Sequence, residues 1–181
     1  NLDAIANFGI VTEAASPYES SKWTESDAPA CGEEDKPVQC FTNGDPSQEA
    51  MAAGRYSLPE RDFVSTITKS LKTYMFKYKR AVVAGGTFYY QSWSHGRSEY
   101  PANSGNRLAG AVVFPSEEDK QSSEEKRAGH SILLVGWDDS LEFPRLDTEG
   151  NPMVAGNGNP IVDTGFFIFK NSWGTGSDWG S

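Results

Sequence analysis

The chain has very few residues of the types that carry thiol, imidazole or zinc chemistry. Its 181 residues include only two cysteines, Cys31 and Cys40, and only two histidines, His95 and His130. Because both histidines lie far from the cysteines in the sequence, a zinc site built from these four residues is not expected. Any catalysis by thiol or imidazole must therefore depend on very few side chains.

Basic residues and long apolar runs are also scarce. Acidic residues outnumber basic residues by 25 to 16, which gives a formal net charge of −9, so neither nucleic acid nor an anionic membrane is an expected partner. No apolar run approaches the roughly 20 residues of a membrane span. A hydrophobic content of 37% and an aromatic content of 12% nevertheless predict a folded chain.

The two cysteines lie in a long polar segment. Cys31 and Cys40 are nine positions apart, within residues 19–61, which are rich in polar residues, glycine and proline and resemble a loop. A local disulfide is one interpretation, and pairing with cysteines outside this chain or two free thiols are the others. A loop of this length in a compact domain is usually functional or crosslinked, and a disulfide would supply the crosslink.

Helical periodicity occurs on both sides of this segment. Residues 2–8 have apolar side chains at helical spacing, and Gly9 is a natural place for the helix to end. An apolar stripe from Phe63 to Tyr78 predicts a second helix, with Asp62 as its N-cap.

The later part of the chain predicts an antiparallel sheet. Four segments have the apolar content of strands: 81–88, 109–114, 129–137 and 165–170. The last two form a hairpin whose long connection, residues 138–164, is a polar insertion. Its acidic residues could bind calcium, but they lack the spacing of a calcium loop, which favours a solvated surface.

Three further features complete the pattern. Residues 116–127 are charged and predict a solvated linker, and no repeat period stands out. An aromatic run begins where the first long strand ends, and we interpret it as core and pocket wall because no basic groove accompanies it. Its members are Phe88, Tyr89, Tyr90 and Trp93.

Two motifs stand at the ends of the predicted hairpin. Gly129-His130-Ser131 opens one strand, and Asn171-Ser172-Trp173-Gly174 follows the other. An imidazole can act as a base toward a thiol, and a carboxamide can orient the imidazole without competing for the proton. The two side chains can face each other across the hairpin, with the indole shielding them. In this order, the motifs closely resemble the second half of a papain-family cysteine peptidase.

The resemblance extends upstream and implies a fold. The segment from Gly9-Ile10 to Pro17-Tyr18 is similar to a landmark of that family. The family has an α+β fold with one helical lobe and one antiparallel, barrel-like sheet lobe, and the site lies in the cleft between them. By resemblance, residues 1–61 hold the end of the helical lobe and the long loop. Residues 62–181 hold the sheet lobe, interrupted by the insertion 138–164.

The resemblance also assigns roles. It makes His130 the general base and acid, Asn171 its orienter and Trp173 a supporting residue, while Gly129 and Ser131 line the substrate pocket. The substrate is a peptide or protein, and neither a metal nor another cofactor is needed.

The nucleophile is not where the family carries it. The family's cysteine segment lies N-terminal to the position where this sequence begins. Cys31 and Cys40 lack the context of that nucleophile, and Cys31 precedes His130 by only 99 positions. We therefore expect a separate N-terminal segment or chain to supply the catalytic cysteine.

Two expectations remain. The alternative function is a non-catalytic papain-fold protein that binds a peptide and lacks the nucleophile. The cysteine pair and the habits of the family favour a secreted, periplasmic or lysosome-like location.

Overall fold

The computed structural model describes residues 2–17, 21–42, 44–57 and 63–173. The chain divides into two compact units, Asn1–Phe63 and Val64–Ser181. Both helices and a sheet are present, so the mixed α and β content that the sequence predicts is confirmed.

The first unit consists of short elements. Helix α1 (Leu2–Phe8) ends at Gly9, whose φ of 72° is in the left-handed region and whose N–H donates to the carbonyl of Ile5 at 2.9 Å. Both the helix and its end agree with the sequence. Two 3-10 turns follow, Pro29–Gly32 and Val38–Cys40, and then helix α2, Gln48–Ala52.

A disulfide holds this unit together. Cys31 and Cys40 are bonded, with their Cα atoms 5.5 Å apart, and each is only 1% exposed. The structure thus selects the local disulfide among the three possibilities for the cysteines. Beside it, the N–H of Trp23 donates to the carbonyl of Cys40 at 3.0 Å. Gly44 lies so close to the Trp23 indole that a Cβ would come within 2.5 Å of the ring.

The second unit is organised around a three-stranded antiparallel sheet of order β1-β2-β3. The strands are β1 (Val82–Thr87), β2 (Gly129–Pro144) and β3 (Val162–Lys170). The sheet is open among the described residues, so it corresponds to the predicted antiparallel strands but does not form a barrel. The hairpin of β2 and β3 is as expected, and both strands extend further toward the turn than their apolar runs do.

Helix α3 (Thr68–Tyr78) is shorter than its apolar stripe predicts. Phe63 lies outside the helix and is 97% exposed, and the predicted cap, Asp62, lies outside the described residues. The N-cap is Ile67, and no side chain caps the first turn. Four residues from Val64 to Ile67 include three β-branched side chains, which have low helix propensity, and this explains the later start.

The predicted strand at 109–114 is wrong, because its first residue ends a helix. Helix α4 spans Ser104–Ala109. The side chain of Asn103 caps it by accepting from the N–H of Asn106 at 2.9 Å, and Gly110 ends it at a φ of 67°. Capping by asparagine and termination by glycine are local signals that outweigh a short apolar run.

The predicted linker at 116–127 is also wrong. Helix α5 spans Glu117–Lys126, and the Ser116 side chain accepts from the N–H of Asp119 at 3.1 Å. Three acidic residues occupy its first turn and a lysine its last, an arrangement that suits the helix dipole. The serine and the acidic residue three positions later form a helix-start signal that the high charge of the segment concealed.

The connection between β2 and β3 contains an eight-residue repeat. Gly150-Asn151-Pro152 recurs as Gly158-Asn159-Pro160, and both glycines have positive φ. Arg145, Met153 and Ile161, spaced eight apart, form a closed ring of backbone hydrogen bonds of 2.8 to 2.9 Å. The expectation that the chain has no repeat is therefore corrected, since the period is too short and the copies too few to stand out among loop residues.

The core of this unit is aromatic. Phe88, Tyr90 and Trp93 are buried together, which confirms the predicted core position for three of the four residues of the aromatic run, whereas Tyr89 is only partly buried. Partly buried apolar residues from the sheet and the loops pack against them: Val112, Ala128, Ile132 and Phe169.

Candidate active site

The register of the hairpin brings His130 and Asn171 together. Leu133 pairs with Lys170, so Asn171 comes one step further along, beside Ile132. His130 is two residues before Ile132 and on the same face, because side chains alternate along a strand. Diagonal neighbours of this kind are within reach of long side chains. His130 Nε2 and Asn171 Oδ1 are 2.9 Å apart.

The hydrogen bonds of Asn171 determine the tautomer of His130. Asn171 Oδ1 also accepts from the N–H of Ser172 at 2.8 Å, so the atom that faces the imidazole is the acceptor oxygen rather than the amide nitrogen. Nε2 must therefore carry the proton, and Nδ1 of the neutral ring has the lone pair. His130 makes no other side-chain hydrogen bond with the described residues, so Nδ1 is available as a base.

Aromatic rings surround the imidazole. The ring centroids of Trp93 and Phe88 lie 5.1 and 5.5 Å from that of His130, and both rings are nearly perpendicular to it. The Trp173 indole lies 5.4 Å away at an interplanar angle of 35° and is 43% exposed. The indole of Trp173 thus lies against the His130 ring and is partly exposed, and its role in reducing the access of water to the hydrogen bond stays a prediction.

His95 is a neighbour that sequence reasoning did not select. Its ring lies 5.4 Å from Phe88 and 6.1 Å from Trp173, and its Nδ1 accepts from the N–H of Arg97 at 3.1 Å. Burial lowers the pKa of His95, and the positive charges of Arg97 and Arg107 lower it further. Its position in the sequence, two residues after Trp93 at the end of the aromatic run, is the feature that could have indicated its place near the site.

Gly129 and Ser131 flank His130 on β2 and are both exposed. They pair with β1, Ser131 opposite Gly85 and Gly129 opposite Thr87. A Cβ added to Gly85 would lie 3.4 Å from Ser131 Oγ. The structure thus places both residues beside the candidate base, and their role in a substrate pocket stays a prediction.

Neither cysteine of the sequence is a free thiol. Cys31 and Cys40 belong to the first unit and are bonded to each other, and the sequence has no third cysteine. A nucleophilic thiol for His130 is therefore not available within these 181 residues.

Two further observations concern the described parts of the chain. No group of three or more histidine, cysteine, aspartate or glutamate side chains there could hold a metal ion. No helix found there has the length and apolar character needed to cross a membrane.

The chain matches no protein-family model, no curated protein and no solved structure.

Proposed function

We propose that His130 and Asn171 are the base and the orienter of a papain-like cysteine endopeptidase, whose nucleophilic thiol comes from polypeptide outside these 181 residues. One observation carries the proposal: the 2.9 Å contact between His130 Nε2 and Asn171 Oδ1, which leaves Nδ1 as the basic atom. The shielding indole of Trp173 supports it.

The arrangement has a defined chemistry. A thiol placed at Nδ1 would transfer its proton to His130 and form a thiolate–imidazolium pair, which lowers the thiol pKa by several units. The thiolate attacks the peptide carbonyl carbon, and the imidazolium gives its proton to the departing amine. Water then hydrolyses the thioester, with His130 again accepting a proton. Asn171 holds the ring in one orientation throughout.

The wider expectations belong to the same proposal. They comprise a papain-like two-lobe fold, a peptide or protein substrate, Gly129 and Ser131 at the pocket, and a separate N-terminal fragment that carries the cysteine. The Cys31–Cys40 disulfide supports an oxidising location, and we propose a secreted, periplasmic or lysosome-like one.

Peptide hydrolysis tests the proposal. The protein is isolated under non-denaturing conditions with any polypeptide that accompanies it, and the cleavage of a fluorogenic peptide library is measured. His130→Ala should lower kcat/KM by at least the ~10²–10⁴-fold that general acid–base catalysis contributes. Asn171→Ala should cost less, because it disturbs orientation rather than proton transfer.

Ser172→Ala is the matched control. Ser172 is next to Asn171 in the sequence, and its replacement by alanine keeps the backbone N–H that donates to Asn171 Oδ1. The activity should therefore stay near that of the unmodified protein. A His130→Ala protein that retains most of its activity would refute the assignment.

A second function is favoured by one observation, namely that both cysteines are in the disulfide. In this alternative, the chain is a non-catalytic papain-fold protein that binds a peptide beside His130. It predicts that library peptides bind without being cleaved, and that Trp173→Ala weakens their binding.

A further inference from the structure

A buried carboxylate, that of Asp119, lies on helix α5 in the second unit. Asp119 is 1% exposed, and a carboxylate at such a place is costly unless donors compensate its charge. Four donors do so. The N–H of Gln91 and the hydroxyl of Ser123 reach Oδ1 at 2.9 and 3.0 Å. The N–H and the hydroxyl of Ser92 reach Oδ2 at 3.0 and 2.8 Å.

Three of these four donors belong to the segment that we name the aromatic loop, residues 88–95, and the fourth, the Ser123 hydroxyl, belongs to α5 itself. Asp119 accepts the backbone N–H groups of Gln91 and Ser92, and Ser123 Oγ accepts that of Tyr90 at 3.0 Å. One turn of α5 thus binds three consecutive amides of the loop, none of which takes part in a strand. Charge-assisted bonds of this kind are stronger than neutral ones.

The aromatic loop supplies most of the surroundings of the candidate base. Phe88 and Trp93 contact the His130 ring, and His95 lies against Phe88 and Trp173. Residues 90–92, whose amides α5 binds, connect Phe88 to Trp93, so the position of their backbone affects where these rings lie.

A second set of contacts, made by the Gln91 side chain, also holds the loop. Gln91 is also 1% exposed, and its Nε2 donates to the carbonyl of Asp147 at 2.7 Å and to that of Pro101 at 3.3 Å. The loop is therefore fixed by α5 through its backbone and by the insertion through a side chain.

We propose that Asp119 is a positioning residue for the candidate site, holding the aromatic loop so that Phe88 and Trp93 enclose His130. The catalytic meaning of this role depends on the proposed function, whereas the placement of the loop does not. Asp119 touches neither His130 nor Asn171, and it acts through the backbone that it binds.

The histidine resonances of Asp119→Asn test the proposal. The chain has only two histidines, His95 in the loop and His130 in contact with it, so their ring Hε1 signals are readily assigned by NMR. Asparagine would place an amide N–H₂ against a backbone N–H or hydroxyl donor, so the loop should shift. We expect both signals to move by more than their linewidth, and the pKa of His95 to rise toward its ordinary value as burial of the ring is relaxed.

Asp163→Asn is the matched control, because Asp163 is a partly buried carboxylate paired with Arg145 at 2.7 Å and does not contact the loop. It should leave both signals in place at a temperature where each variant is folded. If Asp119→Asn does not fold, Ser92→Ala and Ser123→Ala test the proposal instead. Ser92→Ala removes one side-chain hydrogen bond to Asp119, and Ser123→Ala removes one to Asp119 and one from the Tyr90 N–H. Both variants should shift the signals less than Asp119→Asn does.

Unchanged histidine signals in folded Asp119→Asn, or in both serine variants, would overturn the proposal. Activity is a separate measurement. If the signals move but no peptide is cleaved by the protein, the positioning role stands and the peptidase function fails.

Discussion

The two units of the chain are stabilised in different ways. In the first, the large buried side chains are those of the disulfide, Cys31 and Cys40, and the regular elements that the structure describes are only three to seven residues long. Several of its large apolar residues are exposed: Phe8, Ile10, Val38, Phe41, Met51 and Tyr56. In the second, an aromatic core packs against the sheet, and the buried carboxylate of Asp119 on α5 is hydrogen-bonded to the aromatic loop.

The difference shows where a site can be built. A unit of about 60 residues buries little apolar surface, so a covalent constraint takes the place of a core. Side chains that must be held within a fraction of an ångström need a rigid support, and the β2–β3 hairpin with its aromatic surroundings supplies one. The candidate base and its orienter both lie on that hairpin.

Truncation of the aromatic core should have the largest effect. Phe88→Ala removes a ring that is 6% exposed and should lower the free energy of unfolding of the second unit by about 3–5 kcal/mol. Phe76→Ala, on the exposed side of α3 with 66% of the side chain accessible, should change it by less than about 0.5 kcal/mol. Equal effects in chemical denaturation would contradict the position of the core.

Loss of the disulfide should destabilise the first unit. Replacing Cys31 and Cys40 by serine should lower the free energy of unfolding of the first unit by about 2–3 kcal/mol, because the unfolded chain gains conformational entropy. Hydrogen exchange should show faster exchange of the Trp23 N–H, which donates to the Cys40 carbonyl. Exchange of that N–H at the rate of the unmodified protein would contradict the stabilising role of the disulfide.

The repeated turns offer a matched pair within the second unit. A Cβ at Gly150 would lie 2.8 Å from the Pro101 carbonyl oxygen, whereas one at Gly158 would meet nothing within 4 Å. Gly158→Ala should lower the free energy of unfolding by about 1 kcal/mol, because only the left-handed φ is unfavourable there. Gly150→Ala should lower it by about 3 kcal/mol, because the clash with Pro101 adds to the unfavourable φ. Thermal unfolding that ranks them in the opposite order would contradict the contact between the first turn and Pro101.

The smallest effect concerns pH. The pKa of His95 lies below its ordinary value of 6.5 because of burial and the charges of Arg97 and Arg107. As the pH falls through 6.5, His95 therefore binds a proton in the unfolded chain before it does so in the folded protein. The stability that is present above pH 6.5 is lost as the pH approaches the pKa of His95 in the folded protein. The melting temperature should fall less between pH 7.5 and 5.5 in His95→Gln than in the unmodified protein. Identical slopes would show that His95 is not buried as described.

The sequence predicts those parts of the fold in which local signals and packing agree. The β2–β3 hairpin is one such part, because a continuous apolar run and a motif at each end indicate the same element. Helix α5 was missed because most of its residues are charged, and its buried polar face, with Asp119 and Ser123, has no apolar stripe to reveal it. The proximity of His95 to Trp173 depends on the path of the aromatic loop, which hydrogen bonds to α5 determine and no short-range pattern encodes.

The central claim is that a thiol from outside these 181 residues works with His130. Intact-mass analysis under denaturing conditions, before and after treatment with a thiol-directed peptidyl epoxide, tests it most directly. We predict a second polypeptide that gains the mass of one inhibitor, and the loss of that gain in His130→Ala. A single polypeptide of unchanged mass, which carries only the Cys31–Cys40 disulfide, would contradict the claim.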